Sequence, residues 1–531
     1  MAASGEAIVN LLLFSMPDSF EHMPSLAIRM PNGALASLAG NVDAHHRVAA
    51  ADLVLVQHDV RRTVERLVSE WAPDVVGLSV MTFQRRTAHR LIRFVRSLRP
   101  DVRIVVGGYD ASLAPDEYTH PMHGADFIVR GEGEVTLREL LRAIEVGAGY
   151  EHVLGLSFRD GDGFVHNPDR PPANLGAGDV RPPRRSARVL DGYTVLGRTA
   201  DVIETSRGCT FDCSFCSIIE MRGRNFFTYP IERVIADIRD ARERGARSIF
   251  LVDDNIVLDV RRFEALCRAI VAAGLNDVDY TVQAMTSTLA NHGATLAPLM
   301  RLAGFRYVFL GIENVLEEDL TFLRARRKNT KREGGRSAGN AALDAIRVIQ
   351  RHGMYVVGGL IVGNPDDTRE SIDANLQFAR RHVDWPYIQQ PMPYPRTPMT
   401  RDFREQGLIE SDRVEEYDGT TAVVRTKHLS RDEVAFLRWR AERWMKLRHM
   451  PAAFRHDPGF VLRNAYRMAA HTFRGSTWRT WLGIEDEHRA FERYSALRER
   501  EREYLADVSL GDHARETEEV SLVASAPAAQ P

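Results

Sequence analysis

The sequence predicts an α/β protein in three parts: a Rossmann-like first domain, a central partial (β/α)6 barrel and an α-helical C-terminal domain. Three observations carry that reading. Two successive series of short apolar runs alternate with helix-period stretches, the pattern of parallel sheets covered by helices. The second series holds six such units, enough to curl a sheet toward a barrel. From Ser430 onward the pattern is helical only. A chain of 531 residues also exceeds what one ordinary core sustains, so several domains are expected.

In the first series, strands are expected at 8–14, 52–56, 75–79, 104–106 and 127–129, with helices between them, among them 87–98 and 134–146. The strand ends run into Gly and small polar residues, as a ligand-binding sheet edge does. Residues 152–166 read as a hairpin, and the Pro- and Arg-rich stretch 168–188 as an irregular linker. The second series places strands at 202–205, 248–252, 279–283, 307–311, 355–362 and 387–390. Its helices include 231–244 and 338–351, the latter stopped by Gly353. Ser430-Arg-Asp-Glu433 forms a capping box that opens the helical part. The domain bounds that follow are 1–150, a hairpin and linker at 151–190, a barrel at 191–410, helices at 411–505 and a disordered tail at 506–531.

Composition narrows the function classes. Lys and Arg number 70 against 72 Asp and Glu, a net charge of -2, so no basic field points to nucleic acid. No window approaches the ~18 apolar residues that span a bilayer. The apolar run near the N-terminus lacks a basic leader and reads as a buried strand, which makes the chain cytoplasmic by expectation. Of four cysteines, three fall between Cys209 and Cys216. In an intracellular chain that clustering points to metal or redox chemistry rather than disulfides.

The stretch Thr205-Ser-Arg-Gly-Cys-Thr-Phe-Asp-Cys-Ser-Phe-Cys216 directly follows an expected strand. Thiolates spaced Cys-x3-Cys-x2-Cys can hold three corners of a 4Fe–4S cubane, which normally takes four Cys ligands, and so leave one iron open. A zinc site is the alternative, but zinc loops usually bring ligands in two pairs, and Cys267 stands alone in a helical pattern. Cys267 reads as a core residue.

This motif, at this place in a strand–helix series, resembles the radical S-adenosylmethionine superfamily. The resemblance implies metal ligation by Cys209, Cys213 and Cys216, with S-adenosylmethionine chelating the open iron. It implies that Phe215 lies against the adenine and that Asp253 and Asp254, closing the second strand, stand near the amino group. Gln283 ends the third strand, Gly311-Ile-Glu313 the fourth and Gly359-Leu-Ile-Val-Gly363 the fifth, all at cofactor-contacting positions of the family. Asp367 stands where the family usually has Glu.

The first domain resembles the cobalamin-binding domain of one branch of that superfamily, through Pro73–Thr82, Val105–Gly108 and Asp126–Glu134. The resemblance implies cobalamin contacts from Ser79, Met81, Thr82, Gly107, Gly108, Gly131 and Glu132. The Asp-x-His-x-x-Gly motif that supplies a lower cobalt ligand elsewhere is missing; Asp18 and His22 have the wrong spacing. The implied activity is reductive cleavage of S-adenosylmethionine to a 5′-deoxyadenosyl radical and methylation of an unactivated carbon of a small-molecule or lipid-like substrate. Radical cyclisation or rearrangement is the alternative within the family, and a non-catalytic cobalamin or redox sensor the alternative outside it. An electron-donating flavodoxin or ferredoxin is the expected partner. The C-terminal helices, where Trp439, Trp444, Trp478 and Trp481 interleave with arginines, read as a cap over the barrel mouth or as a peripheral lipid contact. The loop with Tyr387, Gln389, Gln390 and Tyr394 is expected to face substrate.

Overall fold

The computed structural model describes residues 8–19, 28–334, 336–456, 458–473 and 475–500. The first sheet is built from β1 (Asn10–Ser15), β2 (Arg47–Asp52), β3 (Val75–Ser79), β4 (Arg103–Gly107) and β5 (Phe127–Val129). They pair in parallel in the order β2-β1-β3-β4-β5. Leu11 to Ser15 are all buried because helices cover both faces, so a continuous apolar run suits the strand better than alternation. The helices are α1 (Gly33–Asn41), α2 (Val60–Trp71), α3 (Arg85–Leu98) and α4 (Gly133–Val146). The hairpin β6 (Leu156–Asp160) and β7 (Gly163–His166) continues this sheet antiparallel beyond β5.

Strand order reverses at β1, which sends its neighbours β2 and β3 out from opposite sides and opens a crevice at their C-terminal ends. Register fixes what stands there. Ser15 lies opposite Asp52 on one side and Ser79 on the other, and Ser79 lies opposite Gly107.

The second sheet holds β8 (Arg198–Ile203), β9 (Ser248–Leu251), β10 (Asp279–Met285), β11 (Phe305–Glu313), β12 (Tyr355–Ile361) and β13 (Trp385–Gln389), all parallel and in chain order. Its helices α5 (Ile231–Glu243), α6 (Val260–Ala272), α7 (Thr286–Leu302), α8 (Ala342–Arg351) and α9 (Arg369–His382) cover the outer face. Among the described residues β13 does not pair back to β8, so the barrel is partial. At the β8 edge, Thr194–Val195 joins the sheet and then pairs with Ile28–Arg29 of the first domain.

Two expected elements shift. The strand placed at 52–56 is Arg47–Asp52, and Leu53–Val56 is a 3-10 turn. Asp52 ends the strand because its carboxylate is committed, accepting from Ser15 Oγ (2.7 Å), Tyr193 Oη (2.6 Å) and the Asn32 amide (3.2 Å). The helix placed at 338–351 starts at Ala342, since Arg336–Asn340 pairs with Thr330–Glu333 in an exposed hairpin.

The C-terminal helices are α10 (Arg431–His456), α11 (Pro458–Phe473), α12 (Trp478–Leu482) and α13 (Glu487–Arg500). The Ser430–Glu433 capping box opens α10. Val434, Leu437, Ala441 and Met445 of α10 enter the barrel core, while Phe436 and Trp439 pack on Ala490 and Tyr494 of α13. No helix among the described residues is long and apolar enough to cross a membrane. The expected tail at 506–531 lies outside the described residues.

Candidate functional site

The cysteine loop leaves the C-terminal end of β8 and is held shut by a short pairing of Ser206–Arg207 with Phe227–Thr228. Asp253, just beyond β9, fastens its entry. The buried carboxylate accepts from the Thr205 amide (2.6 Å), the Thr205 hydroxyl (2.5 Å) and the Ser206 hydroxyl (2.5 Å). Burial pushes its pKa up to about 6 despite these donors. Asp254 accepts from the Gly208 amide (2.8 Å) and Arg222 (3.1 Å). Gly208 has φ +91°, and a Cβ there would sit 2.5 Å from the Asn225 carbonyl, so the turn before Cys209 admits only glycine. Both aspartates therefore shape the loop that carries the thiols.

Cys209, Cys213 and Cys216 are free, with Cys213 buried and the others half-buried. Burial raises Cys213 and pushes Cys216 up to about 12, while the Lys328 ammonium pulls both the other way. Cys213 and Cys216 ionise only with strong help, of the kind a bound iron cluster would supply. Cys267 is fully buried in α6 and packs in the barrel core.

Around the loop stand the strand ends. Asn255 donates from Nδ2 to Cys209 Sγ (3.5 Å) and Met285 Sδ (3.3 Å), and its buried Oδ1 has no partner among the described residues. Glu313 closes β11 at φ +60°, beside a register shift at Gly311, a conformation rare for a residue with a side chain. It forms an ion pair with Lys328, and a Cβ on Gly311 would lie 2.7 Å from its Oε1. Lys328 Nζ in turn stands 5.5 Å from the Phe215 ring centroid. Gln283 is half-buried on β10, opposite Phe309. Gly363 takes φ +100° and donates to Asp367 (2.7 Å), which also accepts from the Asn364 amide (2.8 Å). Asp367 thus closes that turn from within. Beyond β13, Gln390 is buried with both amide atoms unpartnered among the described residues, Tyr387 packs on Phe309, and Tyr394 donates to the Tyr417 carbonyl (3.3 Å).

The second part of the site is a cavity of about 570 Å³ at the switch point of the first sheet. Ser15, Asp52, Ser79, Met81, Gly107, Gly108, Gly131 and Glu132 all line it. Ser79 Oγ accepts from Asn32 Nδ2 (3.2 Å). Met81 is 39% exposed, high for a large apolar side chain and suited to a bulky ligand. Gly131 sits at φ +74° with nothing within 4 Å of its would-be Cβ, an open approach to backbone. Gly108 serves packing instead, since a Cβ there would meet the Val80 backbone at 2.7 Å. Thr82 is buried at the start of a 3-10 turn and takes no part in the wall. Asp18, also in the wall, accepts from Thr87 Oγ1 (2.8 Å), while its Oδ2 has no partner among the described residues. Burial pushes its carboxyl up to about 7. The amide side chains of a corrin are donors of the kind this acceptor lacks, so the cavity fits cobalamin.

What the sequence left unread is the joint between the two parts. Arg207, two residues before Cys209, is buried and paired with Glu134 (2.5 Å), Glu132 (3.4 Å) and Glu204 (2.9 Å). Burial alone would raise Glu134, yet the Arg207 charge and its hydrogen bonds hold it at about 2. Arg222 of the same loop reaches Asp254 (3.1 Å) and Glu132 (3.7 Å). Arg207, Met221 and Arg222 also line the cavity, so the loop with the cysteines forms one wall of the first domain's pocket. Tyr109 lines it too, its hydroxyl kept protonated by burial, which pushes it up to about 12. The one available signal was charge: Arg207 and Glu134 each stand at a strand end in a buried stretch of chain, and a buried charge needs a partner.

Comparison with known proteins agrees with this geometry. The B12 binding domain family model matches residues 23–141, and that of the Radical SAM superfamily matches 203–379. The chain belongs to the radical S-adenosylmethionine enzymes that carry an N-terminal B12-binding domain. Enzymes of this class work with a 4Fe–4S cluster, S-adenosylmethionine and cobalamin, and take an electron from a donor. An uncharacterised methyltransferase of Pyrococcus horikoshii is 27% identical over 82% of this chain and 93% of its own length. The hopanoid C-3 methylase of Methylococcus capsulatus is 29% identical, covering 68% of each chain. The anaerobic magnesium-protoporphyrin IX monomethyl ester cyclase of Cereibacter sphaeroides is 26% identical over 76% of this chain but only 63% of its own. Among solved structures, the cobalamin-dependent radical enzyme OxsB superposes with TM-score 0.64 at 16% identity, covering 98% of this chain and 80% of the other. The radical methyltransferase TsrM of Kitasatospora setae gives 0.59 at 22% identity, covering 75% and 76%. These two share the fold.

Proposed function

We propose that this enzyme transfers a methyl group to an unactivated carbon of a small-molecule or lipid-like biosynthetic substrate in a reducing, cytoplasmic setting. One observation carries the reading: the switch-point cavity and the three-cysteine loop share a wall, with Arg207, Met221 and Arg222 of that loop lining the cavity. When bound, the cluster and S-adenosylmethionine supply a 5′-deoxyadenosyl radical that abstracts hydrogen, and cobalamin supplies the methyl group. The chain's own part is to place these and keep water out. Cys209, Cys213 and Cys216 would hold the iron, Asn255 offers beside Cys209 an Oδ1 with no partner among the described residues, and the Glu313–Lys328 pair with Phe215 would meet the adenosine. Gln390, just beyond β13, is buried with a side-chain amide that has no partner among the described residues, and is suited to bind a polar group of the substrate. Trp478, Leu482 and Ile484, close in sequence and each exposed at the C-terminal helices, would suit contact with a lipid.

A ring-forming outcome is the second reading, supported by the cyclase relative of the same architecture. An anaerobic assay with reconstituted cluster and cobalamin separates the two. Methylation yields S-adenosylhomocysteine beside 5′-deoxyadenosine, whereas cyclisation yields 5′-deoxyadenosine alone. Neither product should form from a Cys213→Ala enzyme.

A further inference from the structure

Apart from Lys328, the segment between β11 and α8 that ends in the exposed hairpin has no role in the site as described, and its charge is out of proportion to the chain. From Arg324 to Arg336 there are seven basic side chains and one acid, Glu333, in a protein whose net charge is -2. Arg324, Arg327, Arg332 and Arg336 are exposed and make no ion pair among the described residues. Neither strand of the hairpin is drawn into a sheet of the barrel. Exposed arginines without ion pairs contribute nothing to folding, and at close range such charges repel.

Its base touches the cysteine loop directly. The Ser214 amide donates to the Leu323 carbonyl (3.0 Å) and the Ser214 hydroxyl to the Phe322 carbonyl (3.0 Å), so the turn between Cys213 and Cys216 hangs from the residues just before Arg324. Arg324 itself takes φ +51°, which turns the chain outward at that point. Lys328, four residues on, faces the thiols. A protein seated on the arginines would therefore lie against the outer side of the iron-binding loop.

We propose that this arginine face is the docking surface for the electron donor, an acidic one-electron carrier protein. The proposal rests on the radical-enzyme reading above. In the step it serves, one electron leaves the reduced carrier and enters the iron site held by the cysteines; the carrier is oxidised by one electron, and no atom or proton needs to cross. Charge complementarity of this kind steers encounter and is screened by salt.

The test compares cluster-loaded wild type with R324E/R327E/R332E/R336E and with the neutral R324Q/R327Q/R332Q/R336Q, using a bacterial flavodoxin as probe. Flavodoxin affinity should fall at least tenfold in the reversed variant, less in the neutral one, and lose its salt dependence in both. Reduction of the cluster by reduced flavodoxin, followed optically, should slow in parallel, while dithionite-driven 5′-deoxyadenosine formation stays at the wild-type level. Unchanged flavodoxin affinity overturns the proposal, as does an equal loss with dithionite, which would make the arginines structural. If wild type with dithionite forms no 5′-deoxyadenosine, the radical reading fails instead, and the affinity measurement still decides the docking surface.

Discussion

The two sheet edges that make the site are built from opposite materials. The first-domain edge is small and open: Ser15, Ser79, Gly107 and Gly131 leave room along the cavity, and among the described residues the Asp18 carboxyl keeps an unpartnered oxygen there. The barrel edge is dense with committed charge: Asp253, Asp254, Glu313, Lys328 and Arg207 are each paired, and the thiols sit among them. The difference follows from what each must hold. A large, mostly neutral ligand needs room and backbone approach. A cluster that cycles in charge needs a loop whose every turn is fixed, and buried ion pairs fix geometry even where they add little stability.

Substitutions that attack each side should break this contrast in different ways. The largest effect is expected from Cys213→Ala, which should reduce iron content and abolish 5′-deoxyadenosine formation while cobalamin retention stays near wild type. Next is Arg207→Met, which strands Glu134 as a buried carboxylate without its cation. Breaking such a pair costs about 3 kcal/mol, visible as a lower denaturant midpoint. Adding Glu134→Gln should restore part of it, and failure to do so would mean that the two side chains act independently. Because Glu134 is held low by its partners, its contribution is present above the usual carboxylate range and is lost as pH falls from about 4.5 toward about 2.

Gly131→Val should be felt only on the first-domain side. A branched side chain at φ +74° is strained and fills the open approach, so cobalamin retention should fall about tenfold, on the order of 1.4 kcal/mol. Iron content should be unchanged; a parallel loss of iron would show that the edges are not separable. The smallest effect concerns Asp18. Its raised carboxyl stabilises the cofactor-free fold most at low pH, and that contribution fades as pH rises through about 7. Amide donors from cobalamin favour the ionised form, so binding releases a proton and should tighten several-fold between pH 6 and 8. Asp18→Asn should flatten that slope.

Legibility in the sequence followed the range of the interaction. The thiols were readable because three ligands of one cluster must sit on one short loop, and the strands because buried parallel strands are apolar from end to end. Arg207 and Glu134 were not, since a pair 73 residues apart leaves no local pattern. The loop-holding role of Asp253 and Asp254 is not legible, because an acid at a strand end serves a ligand or a neighbouring loop equally well and the donors around it are distant in sequence. The expected helix at 338–351 takes in the last three residues of the hairpin Thr330–Asn340, although Gly334-Gly335 between polar runs is a turn signal. The run Leu53–Val56 looked more strand-like than Arg47–Asp52, whose alanines hide how deeply it is buried.

The central claim is that the cobalamin cavity and the cysteine loop are one catalytic site. The direct measurement is anaerobic turnover with S-adenosylmethionine labelled at its methyl group, on enzyme loaded with cluster and with or without cobalamin. The account expects label to reach the cofactor or a co-purified substrate only when the cavity is filled, with 5′-deoxyadenosine formed in the same sample. Label transfer that ignores the presence of cobalamin, or 5′-deoxyadenosine that persists in Cys213→Ala, would contradict it.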